Sequence, residues 1–253
     1  MAGDYDILAP IYDRIGLAEF ATQMTPRILN FVQRNGWLGR RILDIGCGTG
    51  AVTNWFGEHS YIVIGIDQSA AMLAQARKNQ KTGQTGINWI EADILTFDDP
   101  PTPVDMVMAL QTFNDMESLR ELEQVFQNAL ALLGNERWFI FDLLTIEGLA
   151  ARNQNTQQVI FEDDSLLVIS HDEFDYDRQV QTRYYQIFQR DGDVWLRDEA
   201  KQVLRAYPVQ AVASLLRRVG FEGVNVVTTD FKPFAPGQMG QPHAIFIAKK
   251  KAE

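Results

Sequence analysis

Apolar and polar positions along the chain alternate between two periods, and the switches between them mark out the elements. Ile7, Leu8, Ile11, Tyr12 and Ile15 recur at helical spacing, and a second helical pattern runs from about Leu17 to Val32. Arg40-Arg41-Ile42-Leu43-Asp44-Ile45 then reads as a strand. Its apolar run, closed by glycines, suits a strand buried on both faces of a parallel sheet. Ala51 to Phe56 starts a helix, and Tyr61 to Ile66 is a second strand ending at Asp67. Ser69 is a good N-cap for a helix from Ala70 to Asn79. Ile87 to Ile90 and Val104 to Leu110 are the third and fourth strands. Glu117 to Leu133 carries Leu119, Leu122, Val125, Phe126, Leu130 and Leu133 on one helical face, with Gly134 as its stop. Arg137 to Leu143 is the fifth strand. Strands alternating with helices predict an α/β fold with a parallel sheet and right-handed crossovers.

The alternation then breaks. From about Gln158 to Ala206 strands follow one another without helices, including Leu166 to Ile169 and Arg183 to Phe188. Asp175 to Arg178 and Asp191-Gly192-Asp193 read as hairpin turns. A helix from Pro208 to Val219, stopped by Gly220, and strands near Val224 to Thr228 and Ala244 to Ala248 resume the earlier pattern. No repeat or flexible linker separates these parts. The expected division is an N-terminal helical cap over 1–39, a core over 40–150 and 207–253, and an antiparallel β insertion over 151–206 acting as a lid.

The first strand runs into Asp44-Ile45-Gly46-Cys47-Gly48-Thr49-Gly50. Glycines let the backbone approach a ligand closely, and the carboxyl end of a central strand is where ligands sit in such sheets. Asp67 ends the second strand about twenty residues later, where a carboxylate accepts hydrogen bonds from ribose hydroxyls. A nicotinamide-binding turn reads G-x-G-x-x-G. Here the third glycine comes one position early and Ala51 stands at the sixth place, so the fingerprint of that competing cofactor is imperfect.

The string D-I-G-C-G-T-G resembles motif I of the class I S-adenosylmethionine (SAM)-dependent methyltransferases. Ile66-Asp67-Gln68-Ser69, with Met72 one turn on, resembles the family's ribose- and adenine-contacting segment. Glu91-Ala92-Asp93 resembles its third motif, and Ala109-Leu110-Gln111 its strand-four exit beneath the cofactor. The resemblance implies a Rossmann-like seven-stranded sheet with helices on both faces, carrying an inserted antiparallel β cap and the N-terminal helical cap. It implies SAM as cofactor, S-adenosylhomocysteine as product, and Asp44, Gly46, Cys47, Gly48, Gly50, Asp67, Gln68, Met72, Ala92, Asp93, Ile94, Leu110 and Gln111 as the cofactor-binding residues.

A finer resemblance rests on Tyr12-Asp13, the insertion after strand five and Tyr207-Pro208. Together these resemble small-molecule N-methyltransferases such as the amino-sugar dimethylating enzymes and uncharacterised bacterial relatives. It implies a small-molecule acceptor, with an amine nitrogen favoured and oxygen or carbon as alternatives. Where the amino-sugar enzymes carry a histidine after strand four, this chain has Asp115, able to hold a cationic amine or take its proton. The same position can cap a helix at Glu117. Asp115 and Tyr12 are the candidate catalytic residues; Tyr5, Asn114, Arg205 and Tyr207 are the candidate acceptor contacts.

Charge narrows the partners. With 23 basic and 33 acidic residues the net charge is −10, a surface that repels phosphate backbones, so no nucleic acid is expected. The strand-four exit also lacks the N/D-P-P-Y/F signature of base-amino methyltransferases. Cys47 is the single cysteine, and His59, His171 and His243 have no metal-ligand spacing, so no metal site is expected. No apolar stretch approaches the ~18 residues of a membrane span. The expectation is a cytoplasmic monomer or homodimer.

Overall fold

The computed structural model describes residues 3–97, 103–152, 156–235 and 241–252. Residues 1–2 and 253, the outer ends of the expected cap and core, lie outside these. A seven-stranded sheet forms from β1 (Arg41–Ile45), β2 (Ile62–Asp67), β3 (Ile87–Glu91), β4 (Val104–Ala109), β5 (Leu133–Leu144), β10 (Phe221–Val227) and β11 (His243–Lys250), in the order β10-β11-β5-β4-β1-β2-β3. β1 to β5 pair in parallel, and β11 runs antiparallel between β5 and β10. The order reverses between β1 and β4. That switch point leaves a crevice beyond the carboxyl ends of both strands, where Gly46 and Leu110 follow.

Helices cover both faces because alternate strand residues point to opposite sides. Leu43, Val107, Phe139 and Phe141 pack with α5 (Leu119–Leu132) and α7 (Val209–Val219) on one side. Ile42, Met106, Met108 and Ile140 pack with α2 (Glu19–Arg34) and α3 (Ala51–Glu58) on the other. α4 (Ala70–Asn79) begins at Ser69, whose hydroxyl accepts from the Met72 amide at 3.0 Å.

A second sheet holds β6 (Gln158–Glu162), β7 (Leu166–Asp175), β8 (Val180–Asp191) and β9 (Val194–Arg205), all antiparallel and in that order. A five-residue helix, α6 (Ile146–Ala150), leads towards it from β5.

Two expectations about elements are corrected. The first predicted helix contracts to α1 (Tyr5–Leu8), and residues 9–18 continue as turns. Its apolar spacing is real, but Leu8, Ile11 and Ile15 are satisfied by packing on Leu166, Val168, Tyr185 and Ile187 of the second sheet. This N-terminal segment is a strap between the two sheets. Gly134 is also not the stop of α5. The helix ends at Leu132, Leu133 is already extended, and Gly134 belongs to β5.

Candidate functional site

A cavity of about 560 Å³ occupies the switch-point crevice, roofed by the strap. Its floor is the turn after β1. Gly46 has φ +65°, and a Cβ there would stand 2.4 Å from Thr112 Cγ2, so only glycine fits against the exit of β4. Gly48 also has positive φ, but a Cβ there would meet nothing within 4 Å. Its bare backbone faces open space, as close approach by a ligand requires.

Asp67 closes the turn. Its carboxylate accepts the Gly48 amide at 2.8 Å and the Ser69 amide at 2.9 Å. Burial raises the proton affinity of Asp67, and those two amides oppose the rise. Asp44 is 1 % exposed and bonded by the Thr53 hydroxyl at 2.6 Å, yet burial pushes its carboxyl up to about 7. Cys47 is buried in the turn, and burial drives its thiol pKa upward, away from the reactive thiolate.

The far wall comes from Leu110 to Thr112 at the exit of β4 and from Asp115 of the 3₁₀ turn Phe113–Asp115. Asp115 points inward rather than capping α5; Ser118 is that cap, accepting from the Glu121 amide at 3.2 Å. The Tyr5 hydroxyl donates to Asp115 at 2.8 Å, and Gln202 Nε2 of β9 donates to the Tyr5 oxygen at 2.9 Å. Burial pushes the Asp115 carboxyl well above the ordinary carboxylate range, partly offset by the Tyr5 bond. The phenols of Tyr5 and Tyr12 are raised too, first by burial and then by the charge of Asp115. No hydrogen bond to a described residue engages the Tyr12 hydroxyl.

The strap is tied down at several points. The Ser69 hydroxyl donates to Asp6 at 2.5 Å, and Asp13 accepts from the Thr49 hydroxyl at 2.6 Å and Asn79 Nδ2 at 2.7 Å. The Lys201 amide of β9 donates to Asp4 at 2.9 Å. Among the described residues the cavity lining includes six aspartates, Asp4, Asp6, Asp44, Asp67, Asp93 and Asp115, and no lysine, arginine or histidine.

Of the residues singled out in the sequence, Asp44, Gly46, Cys47, Gly48, Asp67, Gln68, Met72, Ala92, Asp93, Ile94, Leu110, Gln111, Tyr5, Tyr12 and Asp115 line this cavity. Four do not, and each has a physical reason. Gly50 N-caps α3 at φ +85°, with the place of a Cβ filled by Asn54 and Trp89. Asn114 is consumed as a buried clamp: its amide donates to the Leu144 and Arg205 carbonyls and its oxygen accepts from the Leu144 amide. Arg205 turns its guanidinium to the Arg178 carbonyl. Tyr207 packs in the core under α7 and donates to the Met116 carbonyl at 2.5 Å.

Sequence reasoning passed over Asp6, Gln202 and Asp142, and gave Asp13 and Thr49 no role although both stand in the quoted motifs. Of the three passed over, Asp142 carries a local signal, an acid within the apolar run Trp138-Phe139-Ile140-Phe141-Asp142-Leu143-Leu144. Among the described residues no group of three or more His, Cys, Asp or Glu side chains is placed to hold a metal, and no helix is long and apolar enough to cross a membrane.

Comparison with known proteins agrees with this geometry. Residues 42–136 match a family described as a methyltransferase domain. The putative methyltransferase YqeM of Bacillus subtilis (strain 168) is 24% identical over 252 residues, covering 98% of each chain. The crystal structure of an S-adenosylmethionine-dependent methyltransferase from Clostridium acetobutylicum ATCC 824 superposes with a TM-score of 0.83 at 19% identity, over 98% of this chain and 99% of that one. The sugar N-methyltransferase KedS8 from Streptoalloteichus sp. ATCC 53650 gives a TM-score of 0.71 at 18% identity, over 100% and 94%. Residues 42–136 thus match a methyltransferase domain, and the sheet order with its glycine turn is the fold of solved S-adenosylmethionine-dependent methyltransferases.

Proposed function

We propose that this enzyme methylates the nitrogen of a small cationic amine. The observation that carries the reading is the cavity lining, which among the described residues holds six aspartates and no basic side chain. Such a lining favours positive charge at both ends of the reaction: the sulfonium and ammonium of SAM, and an acceptor that arrives as an ammonium ion. It disfavours acceptors that would carry a phosphate into the cavity. KedS8, a sugar N-methyltransferase by its description, shares the fold and lends the nitrogen reading support by analogy.

The residues present fit SAM. The bare Gly48 backbone leaves room for it, and Asp67 keeps acceptor capacity for ribose hydroxyls beyond the two amides it binds. Ile66, Met72, Ala92 and Ile94 offer an apolar slot for the adenine, with Gln68 and Asp93 at its edge. Asp44 faces the end suited to the ammonium group. Bound there, SAM supplies a methyl already made electrophilic by the sulfonium.

The chain's own residues then have two tasks, to align the acceptor and to move one proton. The acceptor nitrogen gives its proton to Asp115, and its freed lone pair forms the N–C bond as the methyl–sulfur bond breaks. S-adenosylhomocysteine is the other product. Burial suits Asp115 to this, because a desolvated carboxylate takes a proton more readily than an exposed one. Tyr5 holds the carboxylate in place, and the free Tyr12 hydroxyl is left to contact the acceptor. The strap, held from behind by Lys201 and Gln202 of β9, closes the cavity against water.

The test is transfer of radiolabelled methyl from SAM to matched amines and alcohols, D-glucosamine against D-glucose and putrescine against 1,4-butanediol. Labelling confined to amines and lost in Asp115→Asn supports the reading. Labelling of alcohols, or turnover unchanged in that variant, overturns it.

A further inference from the structure

Behind the wall formed by Leu110, Gln111 and Thr112 lies a buried pair that the proposed chemistry leaves unused. Asp142 of β5 continues the row of Trp138 and Ile140, which faces the apolar layer beneath α2 and α3. It is 1 % exposed. One carboxylate oxygen accepts the Gln111 amide at 2.6 Å, and the other accepts from His243 Nδ1 at 2.9 Å. The His243 ring stacks on Phe20 of α2, with centroids 3.9 Å apart and planes within 10°. Neither Asp142 nor His243 lines the cavity.

Gln111 needs such an anchor. Its φ is +56°, a region that crowds any L side chain and that a non-glycine residue leaves unless something holds it. The peptide between Leu110 and Gln111 is trans, so its N–H and C=O point in opposite directions. With the N–H drawn back into Asp142, the Leu110 carbonyl is turned the other way, where the Thr112 hydroxyl donates to it at 3.1 Å. Thr112 in turn packs against Gly46. The shape of this wall is therefore set from behind, by a carboxylate that a histidine holds in aim.

We propose that Asp142 and His243 are positioning residues for the cofactor site, holding the exit of β4 through the Gln111 amide in the left-handed turn that shapes the SAM cavity. The proposal rests on the reading of that cavity as the place of SAM. Without the carboxylate, the Gln111 backbone relaxes to negative φ and the Leu110 peptide rotates across the cavity wall.

The experiment is calorimetric titration of SAM into the full chain and four variants, with the Gln111 amide proton followed by NMR and melting temperatures recorded alongside. Asp142→Ala removes the acceptor, whereas Asp142→Asn keeps an oxygen for the Gln111 N–H. His243→Phe keeps the stack on Phe20 but loses the donor, whereas His243→Asn can donate from the place of Nδ1. We expect Asp142→Ala and His243→Phe to weaken SAM binding about tenfold or more, the effect of losing a charge-assisted bond. The two conservative variants should stay within about threefold. The Gln111 amide proton should move upfield only in the first pair. If Asp142→Ala does not fold, the two His243 variants decide alone. Wild-type affinity in all four variants overturns the proposal. So does loss of affinity that tracks melting temperature while the Gln111 amide stays fixed. A wild type that fails to bind SAM overturns the assignment of the cavity and this inference with it.

Discussion

The Tyr5 hydroxyl donates to both carboxylate oxygens of Asp115, at 2.8 and 2.9 Å, across a sequence separation of 110 residues. Tyr5 belongs to the strap and Asp115 to the core, so the candidate base takes its hydrogen-bond partner from the strap. Tyr5→Phe removes a bond that stabilises the charged carboxylate and so raises the Asp115 pKa further. We expect the rise of kcat with pH to begin at higher pH in Tyr5→Phe, with SAM affinity retained. Rate–pH profiles of both proteins against the same amine check this; superimposable profiles would detach Tyr5 from the proton transfer.

Asp67 tests the cofactor end. Asp67→Ala should weaken SAM binding by roughly 1–3 kcal/mol, the cost of leaving polar partners unmatched. Calorimetry on the folded variant reads this directly. Unchanged affinity would remove Asp67 from the site.

Asp44 couples stability to pH. Its folded pKa of about 7 lies above the ordinary value of 3.8, so the native state holds this proton more tightly than the unfolded chain does. The contribution is fully present below pH 4 and is lost as pH rises towards 7. At pH 8 the buried charge costs about 4 kcal/mol. Asp44→Asn should therefore raise the melting temperature of the ligand-free protein at pH 8 more than at pH 5, while weakening SAM binding. Melts at both pH values, with and without SAM, check the sign.

The two glycines of the turn should fail differently. Gly46→Ala drives a methyl against Thr112, and the loop must shift, so both stability and SAM binding fall. Gly48→Ala meets no protein atom, so stability falls by only about 1–2 kcal/mol, for the left-handed backbone. Its SAM affinity should be lost because the methyl takes the ligand's space. Thermal melts paired with titration separate the two.

The strap should govern exit. Asp13→Ala deletes the contacts to Thr49 and Asn79 and leaves the apolar packing of Leu8, Ile11 and Ile15 in place. SAM dissociation should quicken by roughly tenfold while the melting temperature changes little. Stopped-flow displacement by S-adenosylhomocysteine measures it.

The sequence by itself determined the core. Buried parallel strands are near-continuous apolar runs, helices carry one apolar face, and a glycine turn after a strand is a local event, so β1 to β5, the turn and Asp67 are all legible from short windows of the chain. Asp115 was legible as a candidate because the exit of β4 is fixed by its strand. What only the tertiary structure decided lies in contacts between distant segments. Periodicity at residues 7–15 reports apolar packing but not whether the partner is a helix or a sheet, so the strap reads as a helix until the second sheet is present. Asn114 lies next to a cavity residue in sequence, yet its amide, like one guanidinium nitrogen of Arg205 and the Tyr207 hydroxyl, is claimed by a carbonyl (Leu144, Arg178 and Met116 respectively), which no local pattern encodes. Gln202 and His243 reach the site by strand register alone. A hydrogen bond depends on where two chains come to lie, and that is settled by the packing of the whole.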